Sequence, residues 1–410
     1  MSITIESIPD GSVTSAQGFT AAAAHAGLKA DGATDVALLV SASSCATAGV
    51  FTKNAVPAAP VIYDRDLLSE RPGRMRAVAM NARVANACTG GAGLTAARAM
   101  AEAAEQAAGL PPRTALVLST GVIGVPLPVE AVTSGLRQAA TRLSATGGHD
   151  AARAIMTTDT HPKSCAVRVD APAGPFVVGG IAKGAGMIHP NLATLLAVLT
   201  TDAAGDAANL APLLRRVVDR SFNAISVDGD TSTNDTVLLL ANGAAGVDVF
   251  REGALTRVFE DAVLQVARTL ALAIVEDGEG ASKLLEIQVT GGPTETAARE
   301  VGRAIARSTL VKTALYGGDP NWGRVLAAAG AAGIPLAPEK LSLHAAADGE
   351  WLELARDGAT AHPDLARARE LFRERRVRLR LDLGLGRAEA VVWTCDLSPE
   401  YVRINADYTS

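Results

Sequence analysis

The sequence predicts an α+β protein: a layered sandwich of the α/β/β/α type, with a second, smaller α/β domain after it. Three observations carry this expectation. Strand-like and helix-like segments alternate without a strict βαβ rhythm, which favours layered α+β over a doubly wound parallel sheet. The alternation halts at Asp277-Gly-Glu-Gly280 and restarts at Lys283. The chain has 410 residues, and a domain typically takes roughly 100–200. The expected division is 1–282 for the larger, catalytic domain and 283–410 for the smaller one.

The elements follow from local chemistry. Short strands are expected at 35–40 and at Arg76-Ala-Val-Ala-Met-Asn81. The Ala-rich stretch 93–108 reads as a helix that Gly109 ends. Thr114-Ala-Leu-Val-Leu-Ser119 is a compact apolar strand broken by Gly121. Pro128 suits the first turn of a helix running to about Leu143. Asp150 reads as the N-cap of a helix at 151–157. Phe176–Ala182 is strand-like, and the glycine-rich Lys183-Gly-Ala-Gly-Met-Ile-His-Pro190 follows it. Leu195–Leu199 is short enough to be a buried strand, and Asp206–Phe222 is an amphipathic helix. Strands at Ala224–Asp228 and Thr236–Leu240 flank the polar turn Gly229–Asp235, and a long helix spans 253–276. The second unit reads as strand 284–290, helix 295–307, a turn at Gly317–Asn321, helix 323–330, strand 340–346, a charged helix at 362–376 and strands 377–383 and 388–394.

Composition excludes several classes of function. Hydrophobic residues make up 48%, so wholesale disorder is excluded. Aromatics are 3%, too few for a platform on which bases stack. Lys and Arg number 38 against 43 Asp and Glu, a net charge of -5, which argues against a general polyanion-binding surface. No nucleic-acid partner is expected. Cys45, Cys88, Cys165 and Cys395 lie far apart without C-x-x-C spacing, the pattern of isolated thiols in a reducing compartment. The opening residues lack a basic n-region and an apolar h-region. No run approaches the roughly 18 consecutive apolar residues of a membrane span. A soluble, cytoplasmic protein is expected.

The usual catalytic motifs are missing: no G-x-S-x-G elbow, no H-E-x-x-H, no Walker A loop, and no G-x-G-x-x-G in the 184–186 stretch. His161 near Cys165 is one histidine near one cysteine, and carries no weight as a dyad. Three segments concentrate small and hydroxyl residues beside apolar strands: Ser119-Thr-Gly-Val-Ile-Gly124, the stretch from Lys183 to Thr194, and Glu276-Asp-Gly-Glu-Gly280. Taken singly, each is better explained as a turn, as β-propensity or as a solvated acid. The second has one unusual feature. A glycine-containing approach with one lysine leads to Ala193-Thr194, and Thr194 opens a buried-looking strand. That suits a chain that cuts itself, because the new N-terminal amine then serves as base for the threonine hydroxyl.

The chain resembles the ornithine acetyltransferase family of arginine biosynthesis, also called the glutamate N-acetyltransferase family. The matching stretches are Gly18-Phe19-Thr20, Ala87-Cys-Thr-Gly90, Ser119-Thr-Gly-Val-Ile-Gly124, Met156-Thr-Thr-Asp-Thr160, Lys183-Gly-Ala-Gly-Met, Ala193-Thr194, Ser232-Thr-Asn-Asp-Thr236, Asp277-Gly-Glu-Gly-Ala281, Gly318-Asp-Pro-Asn-Trp-Gly-Arg324 and Asp407-Tyr-Thr-Ser410. The resemblance implies self-cleavage between Ala193 and Thr194 into chains 1–193 and 194–410, with Thr194 as the nucleophile that carries the acetyl group. Thr120 and Gly121 would form the oxyanion hole. Substrate contacts would come from Thr157, Lys183, Thr194, Glu279, Asn405 and Ser410, so the smaller domain's tail would reach the active site. It further implies an assembly of two cleaved pairs, a heterotetramer, and a double-displacement reaction from N-acetylornithine to glutamate that needs no metal or other cofactor. Acetyl-CoA as a further donor, and service to a specialised pathway, stay open at this point. So do two rival readings: a self-processed hydrolase or aminopeptidase with water as acceptor, and a non-catalytic amino-acid-binding protein. The sequence departs from the family at Asn81-Ala-Arg83, where Asn-Ser-Gly is frequent, and at Leu192 and Leu195, where methionine is. Arg83 is a new charge in a small-residue turn.

Overall fold

The computed structural model describes residues 3–189, 195–347 and 349–407. The first unit contains β1 (Thr4–Ser7), β2 (Phe19–Ala24), β3 (Val36–Phe51), α1 (Ala59–Glu70), β4 (Met75–Asn81), α2 (Gly90–Ala107), β5 (Ala115–Ser119), α3 (Val129–Ala140) and α4 (Gly148–Ala154). It continues with β6 (Lys163–Ala171), β7 (Gly174–Lys183), β8 (Leu196–Thr201), α5 (Ala207–Asp219), β9 (Ile225–Ser226), β10 (Thr236–Ala241) and α6 (Gly253–Glu276).

The long strand β3 organises this unit. Its first half pairs with β2 and β4, its second half with β10, and the register shifts between Val40 and Cys45. A bulge of this kind bends a strand, and β3 thereby serves two arms of one sheet. One arm runs β1-β6-β7-β8-β10-β3, and the other continues through β4 and β5, with β2 on β3.

Alternating side chains then build the layers, because strand residues point to opposite faces. Leu196, Val198, Leu238 and Leu240 of one arm pack with Leu39, Val78, Met80, Leu116 and Leu118 of the other. Ala197, Leu199, Val237 and Leu239 face the opposite way, onto Leu213 and Val217 of α5 and Phe259 and Val263 of α6. Leu38, Ala77, Ala79 and Val117 face Ala97 and Met100 of α2 and Val132 and Leu136 of α3. The order is helix, sheet, sheet, helix, as the sequence predicts.

The remaining elements are β11 (Leu284–Gly292), α7 (Glu295–Ala306), α8 (Thr309–Tyr316), α9 (Trp322–Gly330), β12 (Ser342–Ala346), β13 (Leu352–Arg356), β14 (Ala359–Thr360), α10 (Leu365–Arg373), β15 (Arg376–Asp382), β16 (Ala388–Cys395) and α11 (Pro399–Asp407). A second sheet runs β14-β13-β12-β15-β11-β16-β9. One face packs on Val301 and Ile305 of α7, Leu315 of α8, Val325 of α9 and Phe372 of α10. Its edge strand β9 comes from the first unit and pairs in parallel with Trp393 and Thr394. The first unit is therefore tied to the second sheet through residues 225–226.

Local chemistry accounts for the helix ends. Asp206, Thr294, Ser308 and Asp364 accept backbone N–H groups at the starts of α5, α7, α8 and α10. In α5, Leu210, Leu213, Leu214, Val217 and Val218 form the buried stripe. Some boundaries differ from the sequence reading. The helix expected at 151–157 starts at Gly148, and Asp150 sits in its first turn, paired with Arg153, rather than capping it. The charged helix is confined to 365–373, because Asp364 caps it and His362 takes a positive φ of 50°. Strand 35–40 runs on to Phe51.

Candidate active site

Three loops meet where β5, β7 and α6 end. The first follows β5. Thr120 is 2% exposed. Its N–H bonds the Asn81 carbonyl at 3.1 Å. Gly121 has φ +130°, and a Cβ there would lie 2.5 Å from the Cα of Arg83 and closer still to its carbonyl group. Only glycine fits this approach. Arg83 itself holds φ +72°, the left-handed conformation that glycine adopts freely. This explains in physical terms why a small-residue turn is expected there.

The second loop carries Lys183, at the end of β7 and 2% exposed. Its ammonium donates to Thr120 Oγ1 at 3.3 Å. A lysine can only donate, so the threonine hydroxyl accepts and keeps its own proton for another partner. Burial pushes the Lys183 ammonium below its ordinary range, and Lys163 adds to this, against the pull of Asp159 and Glu279. Lys183 stands opposite Leu196 in the β7–β8 register. Ala193, Thr194 and Ser410 lie outside the described residues.

Beneath these groups runs a buried ion network. Lys163 bonds Asp159 at 2.7 Å and Asp277 at 2.6 Å. Asp159 also accepts the N–H groups of Gly184 (2.9 Å) and Thr157 (3.1 Å). Asp277 accepts from the backbone N–H and the hydroxyl of Thr160. Burial alone would raise the Asp159 carboxyl, but Lys183 and Lys163 outweigh it and hold it at about 2. The network ties the 157–160 loop, the end of β7 and the end of α6 into one block. Thr157 and Asp159 line a cleft of about 600 Å³, and Lys29, Arg83 and Arg153 bring cations to the same lining.

The third loop follows α6. Glu279 lies over Gly186, where a Cβ would come within 2.6 Å of its Oε1. Its N–H bonds the Ala185 carbonyl at 2.8 Å. Asn405, on α11, donates to Glu279 Oε2 at 2.7 Å. The C-terminal segment thus reaches the glycine-rich stretch as a helix, and Tyr401 donates from its hydroxyl to Asp228 at 3.4 Å.

Among the described residues, the structure brings together Thr120, Gly121 and Lys183, and sets Glu279 with Asn405 against Gly186 of the same glycine-rich stretch. Thr157 joins the first group through Asp159. Sequence reasoning missed Asp159, Lys163, Asp277, Asp228, Asn234 and Asp235. Asp159, Asn234 and Asp235 sat inside hydroxyl-rich stretches, where lone acids and an amide were a usable signal. Asp277 sat in the acidic Glu276–Gly280 stretch, but Lys163 left no signal, since its partner lies 114 residues away.

The model of the ArgJ family matches residues 20–410. The arginine biosynthesis bifunctional protein ArgJ of Symbiobacterium thermophilum is 49% identical over 404 residues, covering 97% of this chain and 98% of the relative. The protein of the same name from Thermotoga neapolitana is 45% identical over 394 residues, covering 96% and 98%. Among solved structures, an ornithine acetyltransferase complexed with ornithine, from Mycobacterium tuberculosis, is 37% identical. It covers 47% of this chain and all of its own, with a TM-score of 0.42.

Proposed function

This chain belongs to the ArgJ family, and from that premise we propose that it moves the acetyl group of N-acetylornithine to glutamate, in arginine biosynthesis, through an acetylated Thr194. The observation that carries the reading is the family match over residues 20–410. The pairing of Lys183 with Thr120 beside the β8 flank supports the site.

Processing comes first. The Thr194 hydroxyl attacks the Ala193 carbonyl carbon, the acyl group shifts from nitrogen to oxygen, and water releases the ester. The freed amine then takes the hydroxyl proton as Thr194 attacks the acetyl carbonyl of N-acetylornithine. Thr120 O–H and Gly121 N–H stabilise the negative oxygen, and such a donor is typically worth about 3–4 kcal/mol. The proton passes to the departing ornithine nitrogen. The amine of glutamate attacks the ester and regenerates the hydroxyl. Lys183 suits the substrate carboxylate and Glu279 a substrate ammonium, while Thr157, Asn405 and Ser410 complete the contacts.

Acetyl-CoA as a second donor belongs to this proposal. So do the independence from metals and other cofactors, the division at 282/283, the assembly of two cleaved pairs, and a cytoplasmic location. Among the described residues no helix is long and apolar enough to cross a membrane.

The test is an intact-mass measurement followed by an acetyl-transfer assay. Two fragments split at 193/194 and acetylated glutamate are expected, and Thr194→Ala should leave one uncut, inactive chain. Release of acetate without transfer would favour the hydrolase. A single intact wild-type chain would favour the binding protein.

A further inference from the structure

Both flanks of the segment that contains the Ala193-Thr194 bond are held by one loop, residues 228–235. Upstream, the Asp228 carboxylate accepts the N–H groups of Met187 and Ile188, the latter at 2.9 Å. Val227 N–H bonds the Ile188 carbonyl at 2.7 Å. Met187 keeps a φ of +58° in this grip. Downstream, Asp235 Oδ1 accepts Leu195 N–H at 3.0 Å, and Thr236 N–H bonds the Leu195 carbonyl at 3.1 Å.

The loop is itself anchored. Asn234 donates to the carbonyls of Ser119 (2.9 Å) and Ala85 (2.7 Å), which flank Thr120-Gly121 and the Arg83 turn. Thr52 donates from its hydroxyl to the Ser232 carbonyl at 2.7 Å and from its N–H to the Asp235 carbonyl at 2.9 Å. Asp235 is fully buried, and its Oδ2 has no hydrogen-bond partner among the described residues. Burying a carboxylate this way is costly, so its position needs a reason. Covalent geometry supplies one. The Leu195 nitrogen is bonded to the Thr194 carbonyl carbon, so the Thr194 nitrogen lies within about 3.6 Å of it.

We propose that Asp228 and Asp235 are a positioning pair for self-cleavage: the 228–235 loop grips both flanks of residues 190–194 and, through Asn234, keeps them in register with the Thr120-Gly121 loop. The inference rests on the cut falling between Ala193 and Thr194. It contains an asymmetry. After the cut, Asp228 holds the chain that ends at residue 193, whereas Asp235 still holds the chain that carries the nucleophile. Asp228 also accepts the hydroxyl of Tyr401, on the helix that carries Asn405, so its loss touches transfer less than the loss of Asp235, which holds the chain with the nucleophile.

The experiment follows cleavage of the full-length chain by intact mass over time, with wild type, Thr194→Ala, Asp228→Ala, Asp228→Asn, Asp235→Ala and Asp235→Asn side by side. Thermal melts establish that each variant is folded. Both alanine variants should cut about 100-fold more slowly, the scale of a misplaced reacting group. Asp235→Asn keeps an oxygen for Leu195 N–H and should recover most of the rate. Asp228→Asn loses one of two acceptors and should fall between. Once cut, Asp235→Ala should transfer acetyl at a tenth of the wild-type kcat or less, and the Asp228 variants should lose less than that. Wild-type cleavage rates in folded alanine variants would overturn the proposal, as would asparagine variants as slow as the alanine ones. If an alanine variant does not fold, Asp228→Asn decides: cleavage slowed several-fold supports the pair, and an unchanged rate refutes it. A wild type that stays one chain overturns the cleavage reading itself and this inference with it, whereas normal wild-type cutting with unaffected variants overturns only this inference.

Discussion

Gly121→Ala tests the loop after β5 most directly. The new Cβ would stand 2.5 Å from the Arg83 Cα and nearer still to its carbonyl group. An ordinary contact is 3.4 Å or more, so one backbone strand must move by about 1 Å. Neither is a flexible side chain that could turn aside. The residue also keeps φ +130°, outside the regions open to alanine, at a cost of about 1–3 kcal/mol. The displaced group is the proposed oxyanion donor. Losing one such donor lowers kcat about 10²–10³-fold, and a 1 Å misplacement alone costs about 10²-fold. We expect kcat for acetyl transfer to fall at least 10²-fold, with KM for N-acetylornithine within a few-fold of wild type and Tm lowered by several degrees. The assay is steady-state kinetics beside thermal denaturation and a gel of the fragments. A folded Gly121→Ala enzyme with kcat within threefold of wild type would refute the oxyanion role of this loop.

Three further outcomes are expected. Thr120→Ala should slow acetylation of Thr194 by about 10²–10³-fold with substrate affinity nearly unchanged, and Thr120→Ser should restore part of the rate; raised KM at full kcat would mean ground-state binding instead. Deleting Ala406–Ser410 should raise KM for both substrates while the cut at 193/194 survives, and wild-type kcat/KM for both would remove Ser410 from the site. Asp159, held at about 2 by Lys183 and Lys163 against its burial, has a folded value below its unfolded one. Its contribution of about 2 kcal/mol is present above pH 4 and lost as pH falls from about 4 to about 2. The stability gap between wild type and Asp159→Asn, measured by denaturant titration at several pH values, should shrink on acidification; a gap constant down to pH 2 would contradict the assignment.

Much of the fold is written in local patterns. The short apolar runs at 76–81, 114–119, 195–199 and 236–240 name the central strands, and each contributes alternate residues to two layers. Helices with a single apolar stripe, such as α5 and α7, are equally legible. Strands with weak patterns are not. β1 and β2 carry too few large apolar residues, and β9 is two residues whose place in the second sheet depends on Trp393 and Thr394. The tail's apolar residues suggest packing, yet α11 buries none of them and Val402 is 64% exposed; its helical form and its bond to Glu279 depend on α6 ending nearby.

The candidate site divides the same way. The family resemblance, rather than local composition, points to Thr120, Gly121, Lys183, Glu279 and Asn405, since each stretch taken singly reads as an ordinary turn or tail. The sequence by itself therefore determined the layered fold class and the family, and the resemblance named the residues proposed to meet substrate. Tertiary structure alone decided what holds them. Lys163 reaches Asp277 across 114 residues, Asn234 reaches Ser119 across 115, and Asp235 reaches Leu195 across 40. Hydrogen bonds and ion pairs of this kind act over about 3 Å of space, and no local rule of chain chemistry carries that distance through a hundred intervening residues.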